Sequence, residues 1–402
     1  MGRTARKPGD ALRAEEARRI IVRAQGLDRP PARRASVGAM LQRLGAVQLD
    51  TISVLARSHE LVPYARLGAV PRTRIERSYW AAPARTFEYI AHAGCILPLE
   101  LWPYFAFRRR ALRARERGRL PARVLREVRA RLRDGPVMTS DLGGARRPGG
   151  WWNWSEAKIV MEVLYRRGEV VVTERRGWQR IYDLPERTLP SDLLAMEPTD
   201  EECYAHLLAI AARALGVGTV GDIANYFFLQ ASSSGMAPGA RKLVGQAMQE
   251  IGLVPVQVEG WAEPAFADPK ALARVPPKPS RTTLLSPFDS LIWALPRSGE
   301  LKERERIRRV FGFSYSFEAY VPENKRKHGY FTMPLLNDGN LVGRVDPGRR
   351  GNTLIAKKVS LEDPTAAPAM GQALRDAATW VGCTDIEVGQ VSPPSARPEL
   401  GL

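Results

Sequence analysis

The chain contains few of the residues that bind metals or form disulfides. Three cysteines and four histidines occur in 402 residues. Cys95, Cys203 and Cys383 are odd in number and far apart, and none belongs to a Cys-x-x-Cys or Cys/His metal spacing. No His-Glu-x-x-His or His-x-Glu motif with paired cysteines is present. The sequence therefore argues against zinc deaminases and metallonucleases, and we expect no metal, no cofactor and a reducing compartment.

Nucleotide-binding motifs and long apolar runs are also missing. The sequence has no Walker loop, no Gly-x-Gly-x-x-Gly fingerprint and no Gly-x-Ser-x-Gly elbow, which argues against ATP-driven mechanisms. The basic start MGRTARKPGD precedes a charged helical pattern rather than an apolar signal segment, and no later run is long enough to cross a bilayer. We expect an unprocessed cytoplasmic protein without a membrane partner, and a monomer.

Acidic residues are scarce relative to basic ones. Lys and Arg total 61 against 43 Asp and Glu, which gives a formal net charge of +18 and a pI of about 10.2. Such a surplus is typical of proteins that bind polyanions. A GC-rich coding bias explains why Arg is used in place of Lys, but it does not explain the surplus of basic over acidic residues. An anionic membrane surface is the alternative polyanionic partner. We expect nucleic acid, most readily duplex DNA, and hence association with the nucleoid.

The first part of the chain has the pattern of a helix-turn-helix core. Apolar spacing predicts a helix that ends near Gly26, a second helix over 37–44 capped by Ser36, and a third over 51–64. Strand and turn character follows in FEYIAHAGCILP. Between 108 and 133 the chain carries twelve arginines and two glutamates, a pattern that suits either a phosphate-binding surface or a solvated charged face.

The next part predicts a helix followed by a basic hairpin. Apolar spacing makes 154–167 helical, and strand-like runs over 169–173 and 179–184 are joined by 174–177. Helix followed by basic hairpin is the winged-helix pattern, in which Arg175, Arg176 and Arg180 would contact DNA. The alternative is an ordinary surface hairpin with soluble charges.

The predicted fold class is α+β: three tandem winged-helix units followed by a β-rich C-terminal domain. The third unit repeats the helix, helix, helix, strand order of the second, with helices over 200–215, 219–229 and 238–251. After a proline-rich linker, short runs such as SFEAYVP and GYFTMPLL predict strands, and the tail PPSARPELGL predicts disorder. The predicted boundaries are 1–120, with the candidate catalytic motif, 121–198, with the wing, 199–275, and 282–390 for the β-rich domain.

The tripeptide Gln48-Leu49-Asp50 is the candidate for chemistry. In an extended segment its first and third residues point to the same side, so an amide and a carboxylate would hold a water between them. The alternative is that Asp50 only caps the following helix and that Gln48 is a surface residue.

Several segments resemble the YcaQ/AlkZ family of bacterial DNA glycosylases, which remove alkylated purines and unhook interstrand crosslinks. These are VQLDTISVLARSHELVPYARLG, FEYIAHAGCILPLELWPYF, and the run from LLSPFDSLIWAL through FGFSYSFEAYVPENKRKHGYFTMPLLNDGNLVGRVDP. The resemblance covers about residues 10–385 and implies three winged-helix units with a β-rich domain. Some family members carry Gln-x-Gln and others Gln-x-Asp at this site, and this chain has the latter.

The resemblance implies a metal-free hydrolysis of the N-glycosidic bond of cationic N-alkylated purines, and of interstrand crosslinks, in duplex DNA. Asp50, ionised near its ordinary pKa, would stabilise the oxocarbenium-like sugar and activate water, while Gln48 would orient that water. No lysine stands beside the motif to form a Schiff base, so a monofunctional enzyme is expected.

The resemblance also nominates Arg57, His59 and Arg66 as contacts to DNA, although a histidine in an apolar helix is often a packed or capping residue. The basic turn Lys325, Arg326 and Lys327 contacts the DNA backbone or is a solvated loop. The non-catalytic alternative for the whole protein is a winged-helix transcription regulator.

Overall fold

The computed structural model describes residues 11–32, 36–115, 120–142, 156–229, 239–293 and 304–402. The chain forms two compact units. Unit 1 contains Met1–Ile75, Ile210–Asn225 and Gly252–Leu402, and unit 2 contains Glu76–Ala209 and Tyr226–Ile251. Both helices and strands occur throughout, which confirms a mixed α and β architecture.

The helices in chain order are α1 Ala14–Ala24, α2 Val37–Leu44, α3 Ser58–Leu67, α4 Arg72–Trp80, α5 Ala106–Arg115, α6 Ala122–Asp134, α7 Glu156–Arg166, α8 Pro185–Thr188, α9 Ser191–Ala195, α10 Asp200–Leu215, α11 Val220–Tyr226, α12 Ala240–Glu250, α13 Pro269–Leu272, α14 Glu305–Phe311 and α15 Ala367–Val381. The strands are β1 Val47–Gln48, β2 Thr86–Ile90, β3 Gly94–Pro98, β4 Val137–Met138, β5 Val171–Arg176, β6 Gln179–Asp183, β7 Val217–Thr219, β8 Val254–Val256, β9 Ala265–Ala267, β10 Thr282–Leu284, β11 Met333–Asn337, β12 Asn340–Arg350, β13 Thr353–Leu361 and β14 Asp385–Ser392.

The largest sheet of unit 1 has the strand order β10-β11-β12-β13-β14. The first three pairings are antiparallel, and β11 and β12 are joined by the tight turn Asp338-Gly339, where both residues have positive φ. Strand β14 pairs parallel to β13, which requires a crossover, and α15 supplies it. Gly371 on α15 is required by close packing, because a Cβ there would lie 1.9 Å from the carbonyl oxygen of Leu400.

Two small sheets repeat the same strand order, with the third strand in the middle. In unit 2 the order is β4-β6-β5, and in unit 1 it is β7-β9-β8, all antiparallel. In chain order, α6 precedes β4 and α7 lies between β4 and β5, whereas α11 and α12 lie between β7 and β8. The division into three such units remains a prediction.

Unit 1 contains a buried ion pair between Arg66 on α3 and Asp289 in the segment after β10. The guanidinium donates to both carboxylate oxygens at 2.6 and 2.9 Å, and the side chains are 2% and 0% exposed. Gln25, just after α1, accepts from Arg66 through its backbone carbonyl and its side-chain oxygen. Ser290 donates to the same side-chain oxygen at 2.6 Å, and the Gln25 amide donates to the carbonyl of Ala214. One network therefore joins the ends of α1, α3 and α10 to the segment that follows β10.

Unit 2 buries an arginine of the basic run. Arg108 on α5 is fully buried, donates to the carbonyls of Ile90 and Phe227, and lies over the rings of Phe105 and Phe107. Burial lowers its pKa to about 10. Arg109 is also buried and stacks on Trp102, 4.2 Å from the ring centroid. These two arginines support the fold, so the phosphate-binding surface expected over 108–133 does not include them.

Several sequence predictions are confirmed. The helix predicted over 200–215 is α10 with the same bounds, and the helix of the predicted wing unit is α7. The hairpin is formed by β5 and β6, but its turn is Gly177-Trp178 rather than 174–177. Both turn residues have positive φ, which a two-residue hairpin turn requires.

Three local predictions are wrong. The helix expected over 51–64 begins only at Ser58, because the Glu60 side chain accepts from the Arg57 backbone N–H and completes a capping box. The run SFEAYVP is a loop without a strand. The C-terminal tail is packed rather than disordered, with Ala396 and Leu400 buried in short 3-10 helices.

Within the described ranges, every helix is too short or too polar to traverse a lipid bilayer.

The Arg66–Asp289 pair predicts a large stability effect when one partner is removed. Asp289→Ala would leave a buried guanidinium uncompensated, and we expect the free energy of unfolding to fall by about 3–5 kcal/mol. Arg350→Ala is the control, because Arg350 and Glu387 form an exposed pair whose loss should cost about 1 kcal/mol or less. Denaturant unfolding of both variants gives the comparison, and equal losses would contradict the role assigned to Asp289.

Candidate active site

The loop that carries Asp50 lies between β1 and α3 in unit 1. Helix α2 ends at Gly45 in the left-handed conformation, and the chain then extends through Val47 and Gln48 before the loop 49–57 begins. The Ser58 hydroxyl donates to the Gln48 backbone carbonyl at 2.5 Å, which ties the strand to the start of α3. Gln48 and Asp50 are both half-buried. Their side chains are thus close in sequence and partly shielded from water.

Asp50 closes a local turn and is not a helix cap. Its Oδ1 accepts from the backbone N–H of Ile52 at 2.9 Å, whereas α3 begins only at Ser58, eight residues after Asp50. Burial raises the pKa of the Asp50 carboxyl above its ordinary value, and the backbone N–H groups of Ile52 and Thr51 offset part of that shift. The expectation of an ordinary pKa is therefore corrected, and so is the alternative in which Asp50 caps the helix.

The core of unit 1 supports this loop. Ile52 and Val54 pack against a hydrophobic cluster that contains Phe288, Phe317 and other buried residues of the C-terminal sheet region. Leu55 and Ala56 belong to the cluster itself, at 4% and 0% exposure. Because these four apolar side chains are anchored in the cluster, the segment that follows Asp50 is held against a packed surface.

Arg57, His59 and Arg66 occupy different environments on or next to α3. Arg57 precedes the helix and is half-buried. His59 is fully buried, in agreement with the alternative of a packed histidine. Arg66 is held by Asp289 and Gln25. Neither the His59 nor the Arg66 side chain reaches solvent in this structure, and their contact with DNA stays a prediction.

The three arginines of the predicted wing, in unit 2, also differ in burial and in their partners. Arg175 donates to both oxygens of buried Glu88 at 2.7 Å and lies over the Trp178 ring. Arg180 donates to Glu162 at 2.9 Å and also lies near Glu88. Arg176, by contrast, is 70% exposed on the hairpin. Arg175 and Arg180 therefore hold the hairpin in place, and Arg176 faces solvent. DNA contact by these three arginines stays a prediction.

The three residues of the basic turn 325–327 also differ in how far they are exposed to solvent. Lys325 and Lys327 are exposed. Arg326 is half-buried, donates through Nε to the carbonyl of Val321 at 2.8 Å, and stacks on Tyr330 at 5.1 Å. The two lysines are accessible to a phosphate, whereas Arg326 braces the turn.

A basic groove in unit 1 was missed by the sequence analysis. It has a volume of about 700 Å³, and its apolar lining includes Ile20 and Ile210. Its cationic lining consists of Arg23, Arg43, Arg213, Lys270 and Arg274. Its carboxylate, Asp268, is engaged in capping α13. Within the described residues, Arg213 and Arg274 form no ion pair, so their charge is available to an anion. The cations come from four separated segments, and no local sequence pattern could have joined them.

Comparisons with known proteins agree with the resemblance drawn from the sequence. A family model described as DNA glycosylase AlkZ-like matches residues 41–380. The solved structure of Streptomyces sahachiroi DNA glycosylase AlkZ superimposes with a TM-score of 0.63 at 17% sequence identity, and the match covers 95% of this chain and 100% of that one. The residues matched by the family model include Gln48, Asp50 and strands β10 to β13.

The raised pKa of Asp50 predicts how its charge affects stability. Because its folded pKa lies above the unfolded value, ionisation of Asp50 costs stability, and this cost is fully present above the folded pKa. Asp50→Asn keeps an oxygen acceptor for Ile52 and removes the charge. We expect the variant to unfold at an equal or higher temperature than the native protein at neutral pH, with the difference shrinking on acidification.

Asp363→Asn is the control with the opposite sign, because hydrogen bonds from Thr365 lower the Asp363 pKa. That variant should lose stability at neutral pH and approach the native protein on acidification. Thermal unfolding followed by circular dichroism, from neutral to acidic pH, measures the unfolding temperature of both variants. A neutral-pH loss in Asp50→Asn equal to that in the control would contradict the assignment.

Proposed function

Because the chain belongs to the AlkZ-like family of DNA glycosylases, we propose that it hydrolyses the N-glycosidic bond of cationic N-alkylated purines in duplex DNA, including purines joined in interstrand crosslinks. The observation that carries this proposal is the half-buried Asp50 carboxyl with a raised pKa, two residues from Gln48 and within the region that matches the family. The proposed reaction is monofunctional and needs no metal.

The chemistry suits a cationic leaving group. A purine alkylated at N7 carries a positive charge, which weakens its bond to the sugar and removes the need to protonate the base. The enzyme then has two tasks: to stabilise the positive charge that develops on the sugar, and to deliver water. A carboxylate close to the reacting carbon performs the first task electrostatically.

Asp50 is proposed to perform both tasks. Its pKa is raised by burial, which makes the carboxylate a stronger base toward water than an exposed aspartate. Oδ1 accepts the hydrogen bond from the backbone N–H of Ile52, so Oδ2 is the oxygen proposed to contact the water. Gln48 is proposed to hold that water through its side-chain amide, since its backbone carbonyl is engaged by Ser58.

DNA contact is proposed for Arg176 on the hairpin of unit 2 and for Lys325 and Lys327 on the basic turn, all of which are exposed. It is also proposed for the half-buried Arg57 beside the Asp50 loop. The basic groove is proposed to add further phosphate contacts. In this proposal each small three-stranded sheet with its helices acts as a winged helix, which positions the duplex through its phosphates.

The first prediction concerns base release from duplex DNA with one N7-methylguanine. Asp50→Asn should slow single-turnover release by about 10²- to 10⁴-fold, the usual contribution of general acid–base catalysis. Gln48→Ala should slow it by about 2- to 12-fold, which corresponds to the loss of one hydrogen bond between neutral groups. Chromatography of the released base measures both rates.

Asp385→Asn is the control, because Asp385 is an exposed carboxylate at the start of β14. Its rate should equal that of the native protein. If the native protein releases no base while Asp50→Asn binds the duplex equally well, the protein is a DNA-binding regulator. Magnesium-dependent strand scission would instead indicate a nuclease.

The second prediction concerns the salt dependence of DNA binding. Each phosphate contact contributes about 0.9 to the slope of log affinity against log salt. The double variants Lys325→Ala/Lys327→Ala and Arg213→Ala/Arg274→Ala should each lower that slope by up to about 1.8. Fluorescence anisotropy at several salt concentrations measures the slope. Arg350→Ala serves as the control, and an unchanged slope in a double variant would remove that surface from the interface.

A further inference from the structure

Tyr320 displays an aromatic ring to solvent. Its exposure is 71%, whereas the other large apolar side chains that are exposed among the described residues, Met196 and Leu402, reach 43% and 46%. Exposing an aromatic ring to water forgoes the stabilisation that burial would provide. The exposed ring is therefore accessible to a ligand that could cover it.

The loop that carries Tyr320 is pinned at several points. The buried Glu318 carboxylate accepts from the backbone N–H groups of His328 at 2.8 Å and Gly329 at 3.2 Å, which closes the loop at its base. The Val321 N–H donates to the Glu318 carbonyl at 3.0 Å, and its own carbonyl accepts from Arg326. The backbone on both sides of Tyr320 is therefore fixed, so the exposed ring belongs to a rigid support.

The loop that carries Tyr320 and the loop that carries Asp50 pack against the same hydrophobic cluster. Ala319 and Tyr330 pack against the hydrophobic cluster on which Ile52 and Val54 also rest, so the two loops share one support. The pKa of the Tyr320 phenol is raised, first by its partial burial and then by the negative charge of Asp50. The phenol thus remains neutral around physiological pH and lies within the electrostatic reach of the carboxylate.

We propose that Tyr320 forms a stacking subsite beside Asp50 that takes the positively charged purine of the lesion. This inference rests on the proposed function and extends it to the selection of the base. The face of a tyrosine ring carries negative electrostatic potential, so it attracts a cationic ring more strongly than a neutral one. Asp50 attracts the same positive charge from the side of the sugar. Together the two groups favour N-alkylated purines over the undamaged bases.

Binding to duplexes that cannot react tests this subsite. A 2′-fluorine on the sugar suppresses cleavage of the N-glycosidic bond, so 2′-fluoro-N7-methylguanine and 2′-fluoroguanine provide a cationic and a neutral base in the same DNA. The variants are Tyr320→Phe, which keeps the aromatic face, and Tyr320→Leu, which removes it. Met196→Ala removes an exposed apolar side chain elsewhere and serves as the control. Thermal unfolding checks that each variant is folded.

The native protein should bind the cationic duplex more tightly than the neutral one. Tyr320→Leu should weaken binding to the cationic duplex by about 5- to 150-fold, the usual contribution of one stacked base, and leave binding to the neutral duplex almost unchanged. Tyr320→Phe and Met196→Ala should retain the native preference. Unchanged binding of Tyr320→Leu, or equal losses on both duplexes, would overturn the proposal.

The outcomes separate this inference from the proposed function. If the native protein releases no N7-methylguanine but the preference for the cationic duplex depends on the ring of Tyr320, the subsite stands and the hydrolysis fails. If base release depends on Asp50 while Tyr320→Leu keeps the native preference, the hydrolysis stands and the subsite fails.

Discussion

The buried ion pair between Arg66 and Asp289 is the interaction on which the site of unit 1 depends. Arg66 lies on the helix that follows the Asp50 loop, and Asp289 lies in the segment between the first two strands of the large sheet. Gln25 joins the end of α1 to the same network. Two buried charges require this complete set of partners, because each is costly without the other. The pair therefore fixes the helix after Asp50 against the surface that supports Asp50.

Sequence patterns predicted the parts of the fold that local chemistry determines. The helix of residues 200–215 follows from its apolar spacing, and so does the helix α7 of the predicted wing unit. The extended piece with Gln48 was also found. The loop 49–57 was not, because the apolar residues Ile52, Val54 and Leu55 fit a helical spacing but are buried against distant residues of the sheet. Tertiary packing overrode the local pattern there.

Burial separates side chains that look equivalent in the sequence. Arg66, Arg108 and Arg175 are held inside the fold, whereas Arg176 reaches solvent. Their identity and spacing do not distinguish them, because the partners are distant carboxylates and carbonyls. Tyr320 was missed for a related reason. The run SFEAYVP has the residues of a strand, and only the long-range contacts of Glu318 turn it into a loop that exposes the ring.

Unit 1 is assembled from three separate stretches of chain, so it cannot form completely until the last of them has been synthesised. Asp50 leaves the ribosome early, but the loop that follows it rests on Phe288 and Phe317 and on strands that end at Leu361. A nascent chain therefore carries the Gln-Leu-Asp tripeptide long before it has the surface that shapes the tripeptide into a site. Interrupted translation products contain the motif without its support, so the proposed hydrolysis becomes available only when the chain is nearly complete.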